Sequence, residues 1–117
     1  MRHRKKGVTL DRNAPARKAL LRSLAASVIL YERMQTTHAR AKAIRPIVER
    51  LVTRAKQPTL ATRRYLLARI PQEMVVRKLL EVLGPRYKTR PGGYTRITKL
   101  SPRKGDAAHT AIIEFIV

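Results

Sequence analysis

The sequence predicts an α+β fold in which helices pack on a small three-stranded sheet. Apolar residues recur every three or four positions between residues 20 and 83, and runs rich in β-branched residues lie in the last quarter of the chain. Proline and glycine punctuate the boundaries between these stretches. With 117 residues and 44% hydrophobic content, the chain has material for one compact core and not for two. The expected organisation is a basic arm over residues 1–12 and a single domain over residues 13–117.

The arm carries Arg2, His3, Arg4, Lys5, Lys6 and Arg12 against Asp11 and has few apolar groups to bury. Asn13 then stands at a helix N-cap position with Pro15 in the first turn, so a helix is expected over residues 14–32. Leu20, Leu21, Leu24, Val28 and Tyr31 form its apolar face, and Lys18 and Arg22 project from the other side. Residues 33–37 show no helical stripe and read as a short strand ending in a threonine cap. Over residues 38–56, Ile44, Ile47, Val48, Leu51, Val52 and Ala55 give the strongest periodic signal in the chain. Pro46 interrupts that helix and predicts a kink near residues 42–45. Arg40, Lys42, Arg45, Arg50 and Arg54 occupy its remaining sides.

After the break at Gln57-Pro58-Thr59, a third helix over residues 60–70 combines Leu66 and Leu67 with Arg63, Arg64 and Arg69, and Pro71 closes it. A fourth, over residues 72–83, buries Val76, Leu79, Leu80 and Leu83 and is expected to stop at Gly84-Pro85. Residues 94–100 and 110–117 read as an antiparallel hairpin whose basic loop holds Pro102, Gly105 and Asp106. In its second strand Ala111, Ile113, Phe115 and Val117 share one face, with Glu114 on the other. The predicted order is α-β-α-α-α-β-β.

Charge is the plainest functional signal. Lys and Arg number 27 against 7 Asp and Glu, a net charge of +20, with a pI near 11.7. Solubility needs a far smaller imbalance, so a densely anionic partner, nucleic acid, is expected. The absence of cysteine excludes disulfides, thiolate nucleophiles and Cys-based zinc sites. No apolar run approaches the ~18 residues of a membrane span, and MRHRKKG has no apolar segment behind its charges, so no membrane is expected and the protein is expected to work in the compartment where it is made, the cytoplasm.

Catalytic chemistry finds no support in the pattern. The acids are scattered among basic groups, which fits surface ion pairing better than a converging carboxylate or magnesium site. His3, His38 and His109 lack ligand spacing, and Ser23 and Ser27 lie in a helix and not in a nucleophile elbow. No catalytic residue, metal, cofactor or small-molecule substrate is expected.

The stretch RPGGYTRITKL, residues 90–100, needs separate treatment. A phosphate-cradling glycine loop follows a strand and opens a helix. Here the order is reversed, so Gly92 and Gly93 read as a turn with positive φ leading into a strand. Its flanks supply Arg86, Lys88, Arg90 and Arg96, and the bare backbone at the glycines allows close approach to a phosphate. Tyr87 or Tyr94 either stacks on an unpaired base or lies at the edge of the core.

MRHRKKG, QTTHARAKAIRPIVERLVTRAK, RPGGYTRITKL, KGD and AIIEFIV, in this order over nearly the whole chain, resemble the seventeenth ribosomal protein family of the bacterial large subunit. The resemblance implies an α+β structural protein, without cofactor or catalysis, that binds large-subunit ribosomal RNA around the outside of the peptide exit tunnel beside neighbouring ribosomal proteins. The expected RNA contacts are the arm residues Arg2, His3, Arg4, Lys5, Lys6 and Arg12, then Lys18 and Arg22, then Arg40, Lys42 and Arg45. Arg86, Lys88, Arg90, Gly92, Gly93, Tyr94 and Arg96 complete the set. A general nucleic-acid-compacting protein is the main rival reading, and a small processing enzyme a weaker one.

Overall fold

The computed structural model describes residues 9, 10 and 12–117. Most of the expected arm, including Arg2, His3, Arg4, Lys5 and Lys6, lies outside the described residues. The α+β expectation holds: helices pack on one face of a three-stranded antiparallel sheet, in the predicted order.

Helix α1 spans Ala14–Tyr31, and the Asn13 side chain accepts from the Ala16 N–H at 3.2 Å to cap it. Its buried face is Ala25, Ala26, Val28 and Ile29, whereas Leu21 and Leu24 are half-buried and Tyr31 is 75% exposed. The predicted stripe is therefore rotated. Two adjacent alanines let α1 lie close on its neighbours, and a periodicity weighted by large side chains does not register them. The helix stops at Glu32, whose φ of 62° is left-handed. That conformation costs a non-glycine residue roughly 1–2 kcal/mol. Three contacts hold it: the Glu32 carbonyl accepts from the Phe115 N–H at 3.0 Å, and its carboxylate meets Lys78 at 3.0 Å and Arg86.

Strand β1, Arg33–Thr37, runs directly into helix α2, His38–Ala55, with Thr37 as its cap. Helix α2 buries Ala41, Ile44, Val48, Leu51, Val52 and Ala55, the face its periodicity predicts. It continues through Pro46 without a break. Pro46 is exposed and so is Lys42 one turn back, so the carbonyl left without a helical donor can turn to water. Helix α3, Leu60–Arg69, is capped by Thr59 and buries Thr62 and Leu66.

The fourth helical stretch departs from expectation. Helix α4, Glu73–Lys78, passes into a π-helical turn, Leu79–Leu83, and then into a short α5, Gly84–Arg86. Gly84 is helical, with φ −56°, and terminates nothing. A Cβ there would stand 2.5 Å from the Ala55 carbonyl oxygen, so the glycine is required by the close approach of the segment to the end of α2. Proline lacks the N–H that Glu81 would receive and its ring would crowd that carbonyl; the wider π turn relieves both.

Strands β2, Thr95–Lys99, and β3, Thr110–Phe115, complete a sheet of order β1-β3-β2. Both neighbours pair antiparallel with β3, placing Arg33 and Arg96 on either side of Glu114. Ala111, Ile113 and Phe115 face the helices, as expected, but Val117 lies beyond the last strand pair and is fully exposed.

Candidate nucleic-acid interface

The surface cations divide into two groups by what lies beside them. Every Asp and Glu side chain among the described residues is in an ion pair. Glu114 meets Arg96 at 2.8 Å and Arg33 at 3.8 Å, Asp106 meets Arg103 at 2.5 Å, Glu49 meets Arg45 at 3.8 Å and Glu81 meets Arg77 at 4.0 Å. Glu73 pairs with Arg63, and Glu32 with both Lys78 and Arg86. The Arg86 guanidinium, with Lys78 behind it, holds the Glu32 carboxyl below the usual carboxylate range, against partial burial that acts the other way. Asp106 is lowered to about 2 by Arg103 and the Ala108 N–H, contacts that close the loop between β2 and β3. This is the surface ion pairing the scattered acids predicted.

Three of the expected contact residues therefore have structural partners. Arg86 anchors the left-handed end of α1. Arg96 is bound across the sheet to Glu114. Arg45 donates to the Thr95 carbonyl at 3.3 Å, while Glu49 accepts from the Thr95 N–H and hydroxyl, so the pair clamps β2 onto α2.

Tyr94 is a core residue. It is 0% exposed, its hydroxyl lies 3.0 Å from Thr53 Oγ1, and its ring packs 5.2 Å from that of Tyr87. Tyr87 is also buried and donates to the Ile116 carbonyl at 2.5 Å. Neither ring is open to a base, which corrects the stacking expectation for Tyr94. A small core with only one phenylalanine uses tyrosines as its large side chains and satisfies each hydroxyl internally. Gly93, with φ 63°, makes the expected positive-φ turn, and open space surrounds both Gly92 and Gly93 where a side chain would be.

The second group of cations makes no ion pair among the described residues. Arg12, Lys18, Arg22, Arg40, Lys42, Lys88 and Arg90 belong to it, with Arg64, a weaker candidate from sequence, and a set on which sequence placed no contact: Arg50, Arg54, Arg69 and Lys99. Two concentrations stand out. At the end of the sheet, Lys42 and Lys99 with His109 lie near His38, whose pKa is lowered by partial desolvation first and then by these cations. The second is a cleft of about 220 Å³ between α1, α2 and α3, where Lys18 and Arg22 meet Arg50 and Arg69 with no carboxylate in the lining. Tyr65 lies along it with the Arg69 guanidinium 3.7 Å and the Arg54 guanidinium 4.0 Å from its ring centroid. Arg50 and Tyr65 also line a second depression, of about 450 Å³, that reaches Gly92, with Arg54 and the Arg45-paired Glu49 in its lining. The signal available in advance was the spacing of Tyr65 and Arg69, four apart on one helix.

No cluster of three or more metal-ligating side chains occurs among the described residues, and no helix there is long and apolar enough to cross a membrane. Comparison with known proteins points in one direction. The family model described as "Ribosomal protein L17" matches residues 20–116. The chain is 51% identical over 116 residues to "Large ribosomal subunit protein bL17" of Thermomicrobium roseum, covering 99% of both chains. It is 51% identical over 117 residues to the protein of the same name from Hydrogenobaculum sp., again covering 99% of both. With that of Rickettsia bellii it is 48% identical over 116 residues, 99% of this chain and 82% of the relative.

Proposed function

This chain belongs to the ribosomal protein L17 family, a structural and non-enzymatic component of the large ribosomal subunit, and we propose that it acts there by binding ribosomal RNA near the outside of the peptide exit tunnel. The observation that carries the RNA reading is the division of its cations. Acids absorb a minority of the positive charge, and part of the remainder converges on a strip along the cleft between α1, α2 and α3, whose lining holds no carboxylate. Self-repulsion of that strip is relieved when lysines and arginines displace the counterions condensed on a phosphate backbone.

In this reading residues 1–12 act as a basic arm on a single domain, residues 13–117. Arg12, Lys18, Arg22, Arg40, Lys42, Lys88 and Arg90 contact phosphates, joined by Arg50, Arg54 and Arg69. Gly92 and Gly93 let a phosphate approach the backbone. Arg45, Arg86 and Arg96 serve mainly to hold the surface in shape. A-form RNA is recognised chiefly through its backbone and shape, so most contacts carry no base identity. Neighbouring ribosomal proteins cover exposed apolar side chains such as Met74 and Tyr31, 73% and 75% exposed.

The test is ultraviolet crosslinking of a tagged copy in cells, a high-salt wash, sequencing of the attached nucleic acid and sedimentation of the protein on a sucrose gradient. Migration with the large subunit and crosslinks confined to a few sites on its RNA are expected. Crosslinks scattered over unrelated nucleic acids, with no protein in the subunit peak, would replace this reading with that of a compacting protein.

A further inference from the structure

Within the RNA-binding reading, on which this step rests, we infer that the cleft between α1, α2 and α3 is a site for one unpaired nucleotide of RNA, its base inside and its phosphates on the rim. The floor is apolar: Leu21 of α1, Ile47 and Leu51 of α2 and Ile70 just past the end of α3 leave about 220 Å³ open. That is below the ~300 Å³ at which sites for drug-sized ligands begin, large enough for a single planar ring system and too small for a base pair. The rim is cationic, with Lys18, Arg22 and Arg50 around the opening and no carboxylate among the lining residues. An apolar slot ringed by positive charge matches a nucleotide, in which each flat apolar ring is joined to an anionic phosphate. An apolar side chain of a protein partner would bring no such charge of its own.

Tyr65 supplies the geometry. Arg69 rests against its ring at 3.7 Å and Arg54 at 4.0 Å, which fixes both guanidinium groups at the edge of the cleft although the ion pairs of the domain lie elsewhere. A planar cation laid on one ring keeps a second face, and Arg69 is exposed. Unpaired bases stack on aromatic rings and on guanidinium planes alike, and such stacking tolerates any base. The site therefore selects for an extruded or bulged nucleotide and against continuous duplex, a preference that phosphate contacts alone do not create.

The experiment compares binding of the full chain to a labelled RNA duplex and to the same duplex with one bulged uridine, by fluorescence anisotropy at fixed salt. The wild type is expected to favour the bulged RNA by about 10-fold. Arg69→Lys keeps the charge but removes the plane, and Ile47→Trp fills the cleft without altering charge; both are expected to erase the preference, and Ile47→Trp to leave duplex binding within about 2-fold. Their thermal midpoints confirm folding, and Arg69→Lys reads the site even where the tryptophan disturbs the core. With 4-thiouridine at the bulge, crosslinking followed by trypsin should mark the peptide of residues 65–69. Equal wild-type affinity for the two RNAs, a preference that survives both variants, or crosslinks confined to residues 86–99 would overturn the proposal while leaving RNA binding intact. Within intact subunits, a crosslinker placed in the cleft that captures a protein chain instead of RNA would also overturn it. Failure to bind either RNA would instead remove the RNA-binding reading itself.

Discussion

On the outer face of the sheet, Arg33 and Arg96 flank Glu114 and each arginine there has its carboxylate; in the cleft between α1, α2 and α3, Lys18, Arg22, Arg50 and Arg69 converge with none. Both regions draw on arginines that sequence alone does not tell apart. The regions differ in energetics: the first is partly neutralised across neighbouring strands by the one carboxylate its two arginines share, and the second holds like charges together at a cost to the isolated domain. The lesson is that a basic residue in such a protein contributes to RNA binding according to its neighbours, not to its sign. A paired arginine has already found an anion, and moving it to a phosphate exchanges one ion pair for another. An unpaired one gains the whole interaction.

The largest effect expected is on the unpaired side. Replacing Arg22, Arg50 and Arg69 together by alanine should weaken RNA binding by roughly 100-fold and make the slope of log affinity against log salt less negative by about 2, as three phosphate contacts are removed. The same variant should melt no lower than wild type, because repulsion is relieved. If binding held and stability fell, the division between the two regions would be broken.

Gly84→Ala sharpens the contrast from the structural side. The added methyl would lie against the Ala55 carbonyl oxygen, and a cost of about 1–3 kcal/mol in denaturant unfolding is expected, with an unchanged salt slope for the folded protein. Glu32→Gln should cost about 1 kcal/mol at neutral pH by removing the anion shared by Lys78 and Arg86. Its pH dependence has a definite sign. The folded pKa of Glu32 lies below its unfolded value, so the carboxylate stabilises fully above ordinary carboxylate pH and the contribution disappears as pH falls through the folded value. Wild type and variant should thus converge in acid, as thermal melts at a series of pH values would report.

The smallest effect belongs to Arg96→Ala. Its pair with Glu114 is exposed on the arginine side, 61%, so a loss of ~0.5 kcal/mol or less is expected, and RNA affinity should change by less than about 2-fold.

Much of this was legible in the chain. The α+β order, the cap residues Asn13 and Thr37 and the core face of α2 follow from periodicity and turn chemistry. What escaped was decided by tertiary contact. The buried face of α1 turns on Ala25 and Ala26, whose size matters only against a neighbour. Gly84 looked like a helix stop because glycine before proline commonly is one, but the close approach to Ala55 carries the helix past it. Tyr94 beside a glycine pair and basic residues resembled a stacking platform, and only the packing with Tyr87 and Thr53 reveals it as core. For the interface, sequence located the charge but could not sort it, since Arg96 and Glu114 are 18 residues apart and meet only through strand register. Arg50 and Arg69 are likewise brought to Lys18 and Arg22 by helix packing alone.

The most direct measurement is arginine footprinting with phenylglyoxal, comparing the free protein with the protein in purified large subunits and reading each peptide by mass spectrometry. Protection of Arg22, Arg50, Arg54 and Arg69 on assembly, with Arg33, Arg96 and Arg103 changing little, is the result expected if unpaired cations carry RNA binding. Protection concentrated on Arg33, Arg96 and Arg103, with the cleft arginines as reactive as in the free protein, would contradict it.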